Sequence, residues 1–121
     1  MSGKLTTHVL DTAHGCPAAE IAIALWQLDS NLALDSPTLI AEATTNTDGR
    51  TDKPLLVGEE FVVGVYELVF SVGDYFAGYS DLEKPFFLNQ IPLRFGISDP
   101  QAHYHVPLLV SPWSYSTYRG S

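Results

Sequence analysis

Four histidines, one arginine and an aromatic carboxy-terminal stretch are the residues of this 121-residue chain best suited to chemistry. The histidines are His8, His14, His103 and His105. A single residue separates His103 from His105, so an extended backbone puts both rings on one face. Imidazole titrates near neutral pH and can act as general acid, general base or metal ligand. A His-x-His pair on a strand can offer two ligands to a metal such as zinc, with a third from elsewhere. No cysteine pair and no nearby His/Glu spacing extends that set, and the spacing alone leaves metal and acid–base chemistry both open. Arg50 follows Asn46-Thr47-Asp48-Gly49. Asp-Gly is a strong turn signal, so Arg50 is expected at a turn exit, where its planar fork of donors suits an anion or a carbonyl. Residues 113–121 are aromatic and extended with no polar tail. Chain ends fray unless they are docked, so Tyr118 to Ser121 are expected to have a role.

Other chemistries lack their residues. There is no Gly-x-Ser-x-Gly elbow, phosphate loop or dinucleotide fingerprint. Cys16 lies in a Gly-Cys-Pro turn whose one basic neighbour is His14, which reads as an ordinary loop thiol. As the only cysteine it excludes an internal disulfide and fits a reducing compartment.

The elements that position these residues are strands. Residues 5–12 alternate, with His8 on the face of Thr6 and Leu10. Residues 21–29 are apolar on both faces, residues 38–47 are Thr-rich and extended, and 61–72 are rich in valine. Gly73-Asp74 breaks that run, and 75–82 reads as a short irregular or helical piece. Residues 86–97 and 103–110 are further strands, in which Pro92 suggests an edge or a bulge and Pro107 an edge. A last strand covers 113–118. Seven or eight short strands with turns between them predict an all-β sandwich and a single domain over 1–121.

Composition bounds the function. With 45% hydrophobic and 17% charged residues, the chain falls in the ordinary soluble globular class. A net charge of −8 with scattered basic residues excludes a nucleic-acid footprint. No apolar run has the length of a membrane span, and the first residues lack a signal core, so a cytoplasmic protein is expected.

Three stretches resemble one family: Leu5-Thr6-Thr7-His8-Val9-Leu10-Asp11-Thr12, Asn46-Thr47-Asp48-Gly49-Arg50, and His103-Tyr104-His105-Val106-Pro107-Leu108-Leu109 with the ending Tyr118-Arg119-Gly120-Ser121. The family is the transthyretin-related 5-hydroxyisourate hydrolases, and Tyr-Arg-Gly-Ser is its most specific mark. The resemblance covers essentially the whole chain. It implies a transthyretin-like (prealbumin) two-sheet sandwich of eight strands, with one short helix after the fifth. It implies a homotetramer, a dimer of dimers, with sites in the channel between dimers. It also implies hydrolysis of a purine-derived small molecule with no cofactor and no metal. By matching positions, His8, Arg50, His105 and Ser121 would be catalytic, and Tyr118 would bind substrate beside Arg50. His103 would be supporting. The first and seventh strands would be neighbours, bringing His8 beside His105, and the Asp48-Gly49 turn would join different sheets. The rival implied by the same fold is a carrier of small aromatic ligands.

Overall fold

The computed structural model describes residues 3–28, 37–79 and 82–120. Two sheets face each other. The first has the order β2 (Cys16–Pro17), β1 (Lys4–Asp11), β8 (His103–Val110), β9 (Tyr115–Thr117), and β5 (Leu56–Val57) pairs with the start of β1. The second has the order β4 (Thr38–Thr44), β3 (Ala22–Leu28), β6 (Gly64–Ser71), β7 (Gln90–Ile97). The architecture is therefore the all-β, transthyretin-like sandwich. Nine strands are present among the described residues because the two-residue β2 counts as one.

Period-two alternation sends one face of each long strand into the core. Along β1, Leu5, Thr7, Val9 and Asp11 are buried, while Lys4, Thr6, His8 and Leu10 face out. Leu25, Tyr66, Leu68, Phe70 and Leu108 fill the space between the sheets. Each such side chain contributes roughly 1.5–3 kcal/mol when fully buried. The buried Asp11 carboxylate ends β1. It accepts hydrogen bonds from the backbone of Ala13 and His14, from His14 Nδ1 at 2.6 Å and from the Tyr75 hydroxyl at 2.7 Å. Burial alone would raise its pKa; the Tyr75 and His14 bonds outweigh that and hold it below the usual carboxylate value.

β1 and β8 run parallel, from Lys4↔His103 through Thr6↔His105 to Asp11↔Val110. This pairing joins residues nearly a hundred positions apart and sets the candidate site.

Several sequence expectations shift. Pro92 does lie on an edge strand, β7, but Pro107 lies in β8, between β1 and β9. The pairs Leu108↔Thr117 and His105↔Gly120 share one register, which puts Pro107 opposite Tyr118. The proline lacks the donor for that rung, and the ladder is interrupted there without ending the sheet. The Pro107 carbonyl takes the Thr117 hydroxyl instead, at 2.6 Å. The helix α1 occupies Val72–Ala77 after β6, which is the fifth strand when the two-residue β2 is left out of the count, and it starts before residue 75. The last strand is confined to Tyr115–Thr117, because Ser111 closes a turn on Ser114 across Pro112 and Trp113. No helix of the described residues is long and apolar enough to cross a membrane.

Candidate active site

The outer face of the β1/β8 pair gathers the candidate residues. Lys4, Thr6 and His8 project from β1, and His103 and His105 from β8, because the inward positions are taken by Leu5, Thr7, Tyr104 and Val106. Parallel register sets Thr6 directly across from His105.

Arg50 arrives from the turn after β4. Asn46 organises that turn: its side-chain oxygen accepts from the Asp48 and Arg50 amides, and its carbonyl accepts from Gly49. Gly49 has φ +75°, and a Cβ there would collide with the Val9 carbonyl. Its own carbonyl accepts from Val9 N at 2.8 Å, so the turn is stitched to β1 and Arg50 forms a bridge with His8. As expected, the turn links a strand of one sheet to a strand of the other.

The same turn orients His8. Its Nε2 lies 2.8 Å from the Asp48 carbonyl. A carbonyl can only accept, so that bond assigns the hydrogen to Nε2 and leaves the lone pair of the neutral ring on Nδ1.

His105 is held from two sides. Its backbone exchanges bonds with Gly120, whose amide donates to the His105 carbonyl at 2.7 Å. A Cβ at Gly120 would stand 3.0 Å from His105 Cδ2, so the bare glycine lets the tail lie against the ring. On the other side His105 Nδ1 is 2.8 Å from the Thr6 hydroxyl, and the same oxygen is 2.7 Å from His103 Nε2. Burial first, then the positive charge of Arg50, with His103 and His8, hold the His105 pKa below its ordinary value. Burial and Lys4 do the same for His103. Both rings are therefore neutral at pH 7, as a proton acceptor must be.

His8, Arg50, His105 and Gly120 thus form one group. Tyr118 is further along. It is exposed, stands opposite Pro107, and lines a cleft of about 360 Å³ with Arg119, Leu93, Phe95, Tyr104 and Val106. Ser121 lies outside the described residues. The Arg119 guanidinium sits 4.1 Å over the Tyr104 ring and pins the tail, a contact worth roughly 0.5–1 kcal/mol at an exposed site. The sequence did not single out Thr6 or the Asp48 carbonyl, and it marked Arg119 only as part of the carboxy-terminal ending. Of the first two, only Thr6 carried a signal, its shared strand face with His8. His14, on the Asp11 side of β1, stacks on Phe76 and packs against Tyr79 away from this group. Among the described residues no three His, Cys, Asp or Glu side chains converge as a metal-ligand set.

Comparison with known proteins gives the family. The chain is 57% identical to the 5-hydroxyisourate hydrolase of Ralstonia nicotianae, across 98% of this chain and 99% of that one. The structure of (S)-allantoin synthase matches with a TM-score of 0.91 and 52% identity, covering 99% of this chain and 44% of that one. Sea bream transthyretin in complex with thyroxine matches with a TM-score of 0.84 and 26% identity, covering 97% and 94%. The model of the HIUase/Transthyretin family matches residues 5–120, a span that includes both histidine strands, the Arg50 turn and Gly120. Fold and full-length similarity agree, and the chain belongs to the HIUase/Transthyretin family.

Proposed function

We propose that this protein hydrolyses 5-hydroxyisourate to 2-oxo-4-hydroxy-4-carboxy-5-ureidoimidazoline, using His8, Arg50, His105 and Ser121, as a homotetramer in the cytoplasm. The observation that carries the reading is the meeting of His8, His105 and Arg50 at one strand pair, in a chain 57% identical to a 5-hydroxyisourate hydrolase. The identity of 26% to thyroxine-bound transthyretin is much lower, which favours hydrolysis over carriage of an aromatic ligand.

The chemistry follows from what each group can offer. Water adds to the amide-like carbonyl of the six-membered ring while a neutral histidine takes its proton. His8 offers Nδ1, since its Nε2 hydrogen is committed to Asp48. His105 offers Nε2, since its Nδ1 is committed to Thr6. Arg50 donates to the substrate oxygens and stabilises the charge that develops as the carbonyl becomes tetrahedral. The histidine returns its proton to the ring nitrogen as the C–N bond breaks, leaving a carboxylate and a new N–H. Ser121 follows Gly120, which is bonded to His105, and its proposed role is to orient the water or that ring. Tyr118 is proposed to bind the substrate at the edge of the group. The outward face of a single subunit is open, in keeping with a site completed between dimers. The free Cys16 suits a reducing compartment.

Hydrolysis in ¹⁸O-labelled water tests the reaction. The reading expects one labelled oxygen in the new carboxylate of the product. An unlabelled product, or bound but unaltered substrate, would contradict it.

A further inference from the structure

We propose that Thr6 is a positioning residue whose hydroxyl relays a proton between His105 and His103. Its catalytic consequence rests on the hydrolytic reading above; the linkage of the two rings does not.

The geometry is specific. One oxygen, Thr6 Oγ1, lies within hydrogen-bond distance of two imidazole nitrogens, His103 Nε2 at 2.7 Å and His105 Nδ1 at 2.8 Å. A hydroxyl has one hydrogen to donate, so it cannot donate to both. If it donates to one ring, the other ring must donate to it. The hydrogen positions of the two histidines are therefore linked through Thr6. A threonine on a strand suits this task, because its branched Cβ restricts the rotation of the hydroxyl-bearing carbon. The register assists: Thr6 pairs with His105, and Lys4, one step earlier on the same face, pairs with His103.

In the resting arrangement His105 Nδ1–H donates to Oγ1, and the hydroxyl donates to His103 Nε2. This leaves the lone pair of His105 on Nε2, free to act as a base. The alternative, with the hydroxyl donating to His105, puts the hydrogen on Nε2 and removes the base. When Nε2 takes a proton from water, the Nδ1 hydrogen passes to Oγ1, and the hydroxyl hydrogen passes to His103 Nε2. His105 is then neutral with its hydrogen on Nε2, and the positive charge is on His103. The reverse transfers restore Nδ1–H as Nε2 hands its proton to the leaving nitrogen. No bond other than N–H and O–H changes, and no electrons leave the chain. The groups facing His105 explain the benefit. Arg50 and His8 flank it on the same face, so a lasting positive charge there is opposed, and His103 is the ring further from Arg50. Lys4 faces His103 and opposes its keeping the charge, which favours the return step.

Nitrogen-15 NMR of the histidine rings in substrate-free protein, at several pH values, tests the linkage. Native protein and Thr6→Ser are expected to show His105 protonated at Nδ1 while neutral, with the two rings titrating in linked steps. Thr6→Val, which keeps the shape and removes the hydroxyl, is expected to shift His105 toward the Nε2–H form, leaving only the through-space repulsion between the two rings. In turnover, Thr6→Val should lower kcat roughly ten- to a hundred-fold with KM little changed, a loss in the lower part of the acid–base range. Thr6→Ser should restore most of the rate. His103→Asn should cost about as much as Thr6→Val, and the double variant no more than either alone, as for residues acting as one unit. A His105 that keeps its native Nδ1–H form in Thr6→Val would overturn the relay whatever the rate. An Nδ1–H form of His105 that depends on the Thr6 hydroxyl, in a native protein that leaves 5-hydroxyisourate untouched, would support the relay and overturn the substrate reading alone.

Discussion

At the scale of the residue, the site sets His105, whose pKa is lowered, beside the fixed positive charge of Arg50. Burial and then Arg50 hold the His105 pKa below its ordinary value, about 6.5 in a free histidine. A base that must be neutral works above its pKa. The rate kcat/KM is therefore expected to be flat through neutral pH and to fall only at acid pH, with its midpoint below about 6.5. A midpoint above that value would show that His105 is not the limiting base. Arg50→Gln removes one of the two main causes of the shift, so NMR titration should find the His105 pKa raised but still short of the free value, since burial remains. The same variant should lose roughly 10²–10³ in kcat/KM, the scale of one oxyanion donor. The histidines and Arg50 were visible in the sequence as residue types. Their partners were not, because Thr6 and the Asp48 carbonyl have no chemical signature until a fold sets them against a ring.

At the scale of the element, the turn that carries Arg50 depends on Gly49. Its positive φ and the contact with the Val9 carbonyl leave no room for a side chain. Gly49→Ala should destabilise the fold by about 1–3 kcal/mol and lower activity further, because the displaced turn also releases His8. Urea unfolding and kcat/KM on the same sample would check both; an alanine variant as stable and active as the native chain would contradict the coupling. Alternation in residues 5–12 and 103–110 announced both site strands, and the Asp48-Gly49 signal announced the turn. That β1 pairs with β8 in parallel is a contact between distant segments, which no local pattern encodes; the family resemblance suggested that the two are neighbours, not their direction. Pro107 misled in the other direction. Proline is a sound edge signal when the missing donor must face a partner, yet here the rung opposite Tyr118 is simply left unmade.

At the scale of the whole molecule, the histidine face is the outside of a sheet in one subunit, and large apolar side chains remain uncovered, among them Phe87 and Trp113 at 76% and 65% exposed. Exposed aromatic groups of this kind mark surfaces that meet other molecules. The proposed tetramer is expected to appear in light scattering at four times the 13.2 kDa chain mass, and activity is expected to fall as dilution dissociates it. A fully active monomer would contradict a site shared between dimers. The central claim is that the His8, Arg50 and His105 group opens 5-hydroxyisourate. The most direct measurement is the ultraviolet absorbance decay of freshly generated 5-hydroxyisourate with native protein, with His105→Ala and with buffer alone. The account predicts rapid decay with native protein and a rate roughly 10²–10³ lower for the variant. Decay no faster than in buffer, from a folded native tetramer, would contradict it.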